Sequence, residues 1–198
     1  YRKQDLLPMY RYYRRLLQML DWQRPGERWL LKAPAHMWAI DALIAVFPDV
    51  SIVWSHRDPL LCTASICSMT YAITNGALAL SKQELGPRVF DFYATSLERG
   101  LRVRDRCDPA RFIDVRHDTI VADSLAVVRG IYAHFGSSLS PAAEAAMQAH
   151  IDANPKGKHG SHAYALEEWG LSADAVCERL AAYIERFDLG SDAGGDTE

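Results

Sequence analysis

The chain has 198 residues, 49% of them hydrophobic and 24% charged, an ordinary globular mix and enough for one domain with its own apolar core. A net charge of -3 and a pI near 6.2 argue against broad nucleic-acid binding, yet leave room for one small basic pocket around a phosphorylated ligand. The four cysteines, Cys62, Cys67, Cys107 and Cys177, form no CxxC pair and share no zinc spacing with histidines, no apolar run reaches the roughly 18 residues of a membrane helix, and no signal peptide is legible. Reduced cysteines in a cytoplasmic protein, without a metal, are expected.

In chain order, residues 8–22 carry aromatic and aliphatic side chains at helical spacing. The first residue is Tyr1 and this helix starts almost at once, without a lead-in, so a truncated N-terminus is expected. Arg24-Pro25-Gly26-Glu27 is a turn, and Trp29-Leu30-Leu31-Lys32 reads as a short buried strand broken by Ala33-Pro34-Ala35. Helical periodicity runs from His36 to Phe47 and stops at Pro48-Asp49. Val50 to Ser55 is a β-branched and aromatic strand, followed by Asp58-Pro59 and a helix from about Leu60. Residues 72–106 read as mainly helical, with loops near Asn75-Gly76 and Gly86-Pro87. Arg111 to Val115 is a third strand, and helices are expected over Ala126–Phe135, Pro141–Ile151 and Ala173–Phe187. Residues 1–189 form the α/β domain, and the Gly/Asp-rich residues 190–198 form a disordered tail. Alternating strands and helices imply a parallel sheet covered by helices, with ligands bound beyond the carboxyl ends of the strands.

Three groups of residues could carry chemistry. Arg57 follows the second strand in Ser55-His56-Arg57-Asp58-Pro59, and Ser65 comes eight residues later, inside the next helix. A guanidinium and a hydroxyl so spaced can share one oxyanion, unless Arg57 merely pairs with Asp58 at the surface. Lys32 ends the first strand and His36 opens the next helix, offering a point charge for a developing oxyanion and a general base. The plain alternative makes Lys32 a rim charge and His36 a satisfied helix-start residue. Lys156 to His162 holds two lysines, two histidines and two glycines, which suits a loop wrapping a phosphate, although basic surface loops are common.

Taken together, the stretch LLKAPAHMWAIDALIAVFPDVSIVWSHRDP up to Ser65, the later FIDVRHDTIVADSLAVVRGIYAHFG and KGKHGSHAYALEEWGL resemble a bacterial branch of the sulfotransferases. The resemblance runs from about Tyr10 to Phe187. It implies a P-loop NTPase-like three-layer α/β/α sandwich and transfer of a sulfuryl group from 3′-phosphoadenosine 5′-phosphosulfate (PAPS) to a hydroxyl or amine of a small-molecule acceptor. It implies that Arg57 and Ser65 bind the 3′-phosphate, that Lys156, Gly157 and Lys158 close over it, and that His117 stands where many members place a tyrosine against the adenine. Lys32 matches a lysine near the transferred group, and His36 lies close to the catalytic base. No match to the family's GxPRSGTT-type 5′-phosphosulfate loop occurs in the sequence, so reduced activity and marginal stability are expected.

Two rival readings remain at this point: a related phosphotransferase using a Walker loop and an acidic magnesium ligand such as Asp58 or Asp114, and a non-catalytic adenine-nucleotide-binding module. Tyr10, Tyr12, Tyr13, Trp22, Met69, Tyr71 and Met147 could line an acceptor pocket, although core packing is the ordinary role of such residues. Exposed apolar surface would favour a homo-oligomer.

Overall fold

The helical spacing at the N-terminus produces α1 (Leu7–Gln23), which starts with Pro8 in its first turn, where the missing N–H costs nothing. Tyr10 and Leu17, two turns apart on one face, are buried. The structure, a computed structural model, describes residues 4–74, 80–154 and 165–189. It divides into two compact units, residues 1–51 with 95–111, and residues 52–94 with 112–198.

In the first unit α1 packs on α2 (Ile40–Val46), whose Ile40, Leu43 and Val46 point into the core. The helix expected from His36 to Phe47 is thus divided. Its first half, Pro34–Ala39, winds as a tighter 3-10 turn that buries Trp38 and Ala39. The strand expected at Trp29–Lys32 is not formed. These residues are irregular, and Leu30 is 95% exposed. An extended apolar segment becomes a buried strand only when a neighbour takes up its backbone N–H and C=O groups, and among the described residues only the two strands of the second unit pair with each other.

The second unit is built on β1 (Ile52–His56) and β2 (Phe112–Arg116), parallel and in register from Ile52 opposite Phe112 to His56 opposite Arg116. Trp54 and His56 point inward and Ser55 outward, the period of two that a strand imposes. Between the strands run α3 (Pro59–Thr74) and α4 (Lys82–Arg104). After β2 come α5 (His117–Ala122), α6 (Ser124–His134), α7 (Pro141–Ala153) and α8 (Ala173–Phe187). The second half of α4 belongs to the first unit, where Arg99 pairs with Asp41 of α2 at 2.8 Å.

The loop expected at Gly86-Pro87 is replaced by continuous α4. Proline here forfeits one backbone bond, but packing outweighs propensity. Leu85 and Val89 on either side close a core cluster with Cys67 of α3 and Trp169, which lies in the short 3-10 turn Glu167–Trp169. Burial pushes the Cys67 thiol up to about 11, so it stays protonated as a small hydrophobe. The turn closes at Gly170, whose φ of +65° suits glycine.

Ser172 caps α8 by accepting a hydrogen bond from the Ala175 N–H, and Val176, Leu180 and Tyr183 form its buried stripe. Ser172→Ala is expected to cost about 1 kcal/mol, lowering the midpoint of thermal unfolding by about 2–4 °C. Circular dichroism melts of the two proteins would check this; an unchanged midpoint would mean the cap contributes nothing. Residues 190–198, expected as a tail, and the Asn75-Gly76 loop lie outside the described residues.

Candidate functional site

β1 ends at His56 and α3 begins at Pro59, so Arg57 and Asp58 are the two residues that turn the chain from strand to helix. Asp58 is committed to that turn. Its Oδ1 accepts the Leu60 N–H at 2.8 Å and so satisfies one of the free donors at the start of α3. The surface pairing of Arg57 with Asp58 weighed above is therefore not what the structure shows. Arg57 is exposed, and among the described residues no carboxylate forms an ion pair with it. Ser65 lies in α3, six residues after its first residue, and is half-buried. The Arg57 charge is felt inside the first turn of α3. Burial raises the basicity of the Cys62 thiolate, while Arg57 and a hydrogen bond with the buried Tyr93 act in the opposite direction.

The end of β2 is held more tightly. Arg116 forks onto Asp118, with Nη2 to Oδ2 at 2.7 Å, and this hydrogen bonding is the chief reason that the Asp118 carboxyl falls to about 2. Arg116 Nη1 also donates to the carbonyls of Phe187, at 3.4 Å, and Asp188 at the C-terminus of α8, where the helix dipole is negative. His117 is the first residue of α5 and is half-buried.

Directly before Arg57, His56 is only 1% exposed. Its Nδ1 lies 2.8 Å from the Tyr183 hydroxyl and its Nε2 2.8 Å from Asp114 Oδ1. Its ring stacks on Phe187 with centroids 3.8 Å apart. In the sequence His56 belongs to the strand-end motif, and nothing local assigns it a role. The available signal was its parity with Ile52 and Trp54 along the strand; its partner Tyr183 is too distant in sequence to be guessed.

In the first unit, His36 sits in the 3-10 turn with Nδ1 2.7 Å from the Tyr10 hydroxyl and its ring 6.1 Å from that of Tyr13. Burial lowers its pKa below the ordinary value, which favours the neutral imidazole. Lys32, in the irregular stretch before it, is exposed. Of the aromatic and methionine residues considered for an acceptor pocket, Tyr10 is core at 2% exposure while Tyr12, Trp22 and Met69 are largely exposed. Lys156, Gly157 and Lys158 lie outside the described residues. Among the described residues no three His, Cys, Asp or Glu side chains are grouped to hold a metal ion, and no helix is long and apolar enough to cross a membrane.

Parallel strands whose carboxyl ends lead into helices, with an exposed arginine at the first strand-to-helix turn, define an α/β protein, a class whose ligands bind as a rule beyond the strand ends. The chain belongs to the sulfotransferase family, whose model matches residues 2–141. It is similar to two crystallised mycobacterial proteins of the P-loop-like fold, STF9 from Mycobacterium avium (32% identity, TM-score 0.87, 94% of this chain) and STF1 from Mycobacterium tuberculosis (35% identity, TM-score 0.80, 91% of this chain). The omega-hydroxy-beta-dihydromenaquinone-9 sulfotransferase Stf3 of Mycobacterium bovis is 27% identical over 109 residues, 54% of this chain. The matches span 48% of STF9, 46% of STF1 and 28% of Stf3, so the chain covers less than half the length of these relatives.

Proposed function

We propose that the protein acts in sulfuryl transfer from PAPS to a hydroxyl or amine of a small-molecule acceptor in the cytoplasm, and that Arg57 and Ser65 hold the 3′-phosphate. The observation that carries this reading is the state of Arg57. Its guanidinium is exposed at the carboxyl end of β1 and the neighbouring carboxylate is spent on capping α3. A planar donor fork and a hydroxyl in the following helix suit a phosphate dianion, which accepts several hydrogen bonds at once. A phosphotransferase reading is set aside by the family match.

The other roles follow from the resemblance. Lys156, Gly157 and Lys158 close over the same phosphate, and His117 meets the adenine. Lys32 offsets charge developing on the bridging oxygen, and His36 takes the acceptor's proton. The neutral state of His36 suits a base. For Nε2 to accept the proton, Nδ1 must carry the ring hydrogen toward the Tyr10 oxygen 2.7 Å away.

The test is calorimetric titration of the chain with adenosine 3′,5′-bisphosphate and, separately, with adenosine 5′-monophosphate. The bisphosphate is expected to bind at least about tenfold more tightly, the contribution of charge-assisted hydrogen bonds to one phosphate. Equal affinities, or no binding of either, would remove the 3′-phosphate assignment. Turnover of PAPS, followed with the same preparation, separates an enzyme from a nucleotide-binding module.

A further inference from the structure

We infer that His56 is a positioning residue for the phosphate contact of Arg57, clamped by the last turns of α8, so that the docking of α8 sets how well that contact is made. The inference rests on the reading of Arg57 as the 3′-phosphate ligand. Its own basis is the hydrogen bonding of a side chain that is 1% exposed and immediately precedes Arg57.

The protonation pattern of His56 follows from its partners. An ionised carboxylate only accepts hydrogen bonds, so the atom facing Asp114 Oδ1 at 2.8 Å, Nε2, carries a hydrogen. In the neutral ring Nδ1 is then an acceptor, and the Tyr183 hydroxyl, 2.8 Å away, donates to it. One tautomer of one rotamer satisfies both contacts. Turning the ring over would set the ring carbons Cε1 and Cδ2 against the carboxylate and the hydroxyl and lose both hydrogen bonds. Phe187 stacks on the ring at 3.8 Å and 20°, which removes the remaining freedom to tilt.

Two of these partners, Tyr183 and Phe187, lie in the last two turns of α8. The same end of the helix receives Arg116 from β2, through the carbonyls of Phe187 and Asp188. The carboxyl ends of both strands are therefore fastened to one helix end. Arg57 is the first residue after β1, and adjacent residues of an extended chain point to opposite sides. Holding His56 inward thus aims Arg57 outward, where it is exposed. An apolar residue at position 56 could bury as well, but it would leave the strand end several packings of similar energy, whereas a fully satisfied buried polar network specifies one.

The experiment is the titration with adenosine 3′,5′-bisphosphate and adenosine 5′-monophosphate, applied to Tyr183→Phe, to His56→Gln, to Arg57→Ala and to the double variant Arg57→Ala/Tyr183→Phe. Tyr183→Phe keeps the ring and removes only the hydroxyl. It is expected to weaken the bisphosphate on the order of five- to tenfold, as for one buried neutral hydrogen bond, and to leave the monophosphate unchanged. His56→Gln should lower the same ratio. In the double variant the tyrosine change should have no further effect, because the contact it positions is gone. A merely structural role would lower the unfolding midpoint and leave the ratio of the two affinities alone, and that result would overturn the inference. Equal weakening of both nucleotides would also overturn it. A wild-type protein without preference for the bisphosphate, or one whose preference survives Arg57→Ala, would instead show that the reading of Arg57 is at fault.

Discussion

Arg57→Ala is expected to weaken adenosine 3′,5′-bisphosphate roughly 10- to 150-fold while leaving adenosine 5′-monophosphate unchanged. The magnitude is that of one or two hydrogen bonds from a charged donor, about 1.5–3 kcal/mol. The selectivity follows from position. Arg57 stands at the β1–α3 turn, and a group there that recognises the 3′-phosphate has nothing to offer a nucleotide without one. Stability should hardly change, within about 0.5 kcal/mol, because the residue is exposed and no carboxylate among the described residues is left unpaired by its removal. Titration of both proteins at two salt concentrations adds a check, since an exposed ionic contact weakens as salt rises. Equal losses for the two nucleotides would mean that Arg57 does not read the 3′-phosphate. A large loss of stability would mean that it is a structural residue.

Gly86→Ala is the substitution expected to damage the fold most. In an ordinary helix interior this change is favourable by up to about 1 kcal/mol. Here the added Cβ would stand 2.0 Å from the Trp169 carbonyl oxygen, 2.7 Å from its Cβ and 2.9 Å from its carbonyl carbon. Two of those atoms are backbone, so a side chain cannot simply swing aside. Relief requires the Glu167–Trp169 turn to retreat, which takes Trp169, 3% exposed, out of its cluster with Cys67, Leu85 and Val89. Overpacking with loss of a buried aromatic should together exceed about 3 kcal/mol. Urea unfolding would measure it. An alanine variant as stable as the parent would mean that α4 and the turn do not approach so closely.

Much of this structure could be read locally. The helices α1, α6, α7 and α8 and the strands β1 and β2 fall within one or two residues of their expected bounds, because each is set by its own periodicity and by turn residues beside it. The Arg57–Ser65 spacing was visible for the same reason. Three features were not. Trp29 to Lys32 has strand composition but no strand beside it among the described residues, and composition does not reveal whether a neighbour is present. Gly86-Pro87 reads as a breaker, yet the glycine is there for the approach of Trp169 and the helix continues. His56 reads only as part of the strand-end motif Ser55 to Pro59. Its burial depends on Asp114 and Tyr183, and no local pattern shows that three distant residues meet.

The distance in sequence between His56 and Tyr183, 127 residues, has a consequence for how the chain is made. Synthesis delivers β1 before its parallel partner, which follows only when Phe112 to Arg116 emerge, sixty positions further on. Helices α3 and α4 can form meanwhile, since their backbone hydrogen bonds are local, but pairing of the strands must await closure of that long segment. Even then the imidazole at the end of β1 has Asp114 for Nε2 but not the Tyr183 hydroxyl for Nδ1. Its second nitrogen must stay hydrated until α8 leaves the ribosome and brings Tyr183 and Phe187 to it. The strand ends therefore reach their finished arrangement only after α8 has been made, and a nascent chain stopped before α8 would carry Arg57 on an end that is not yet fixed.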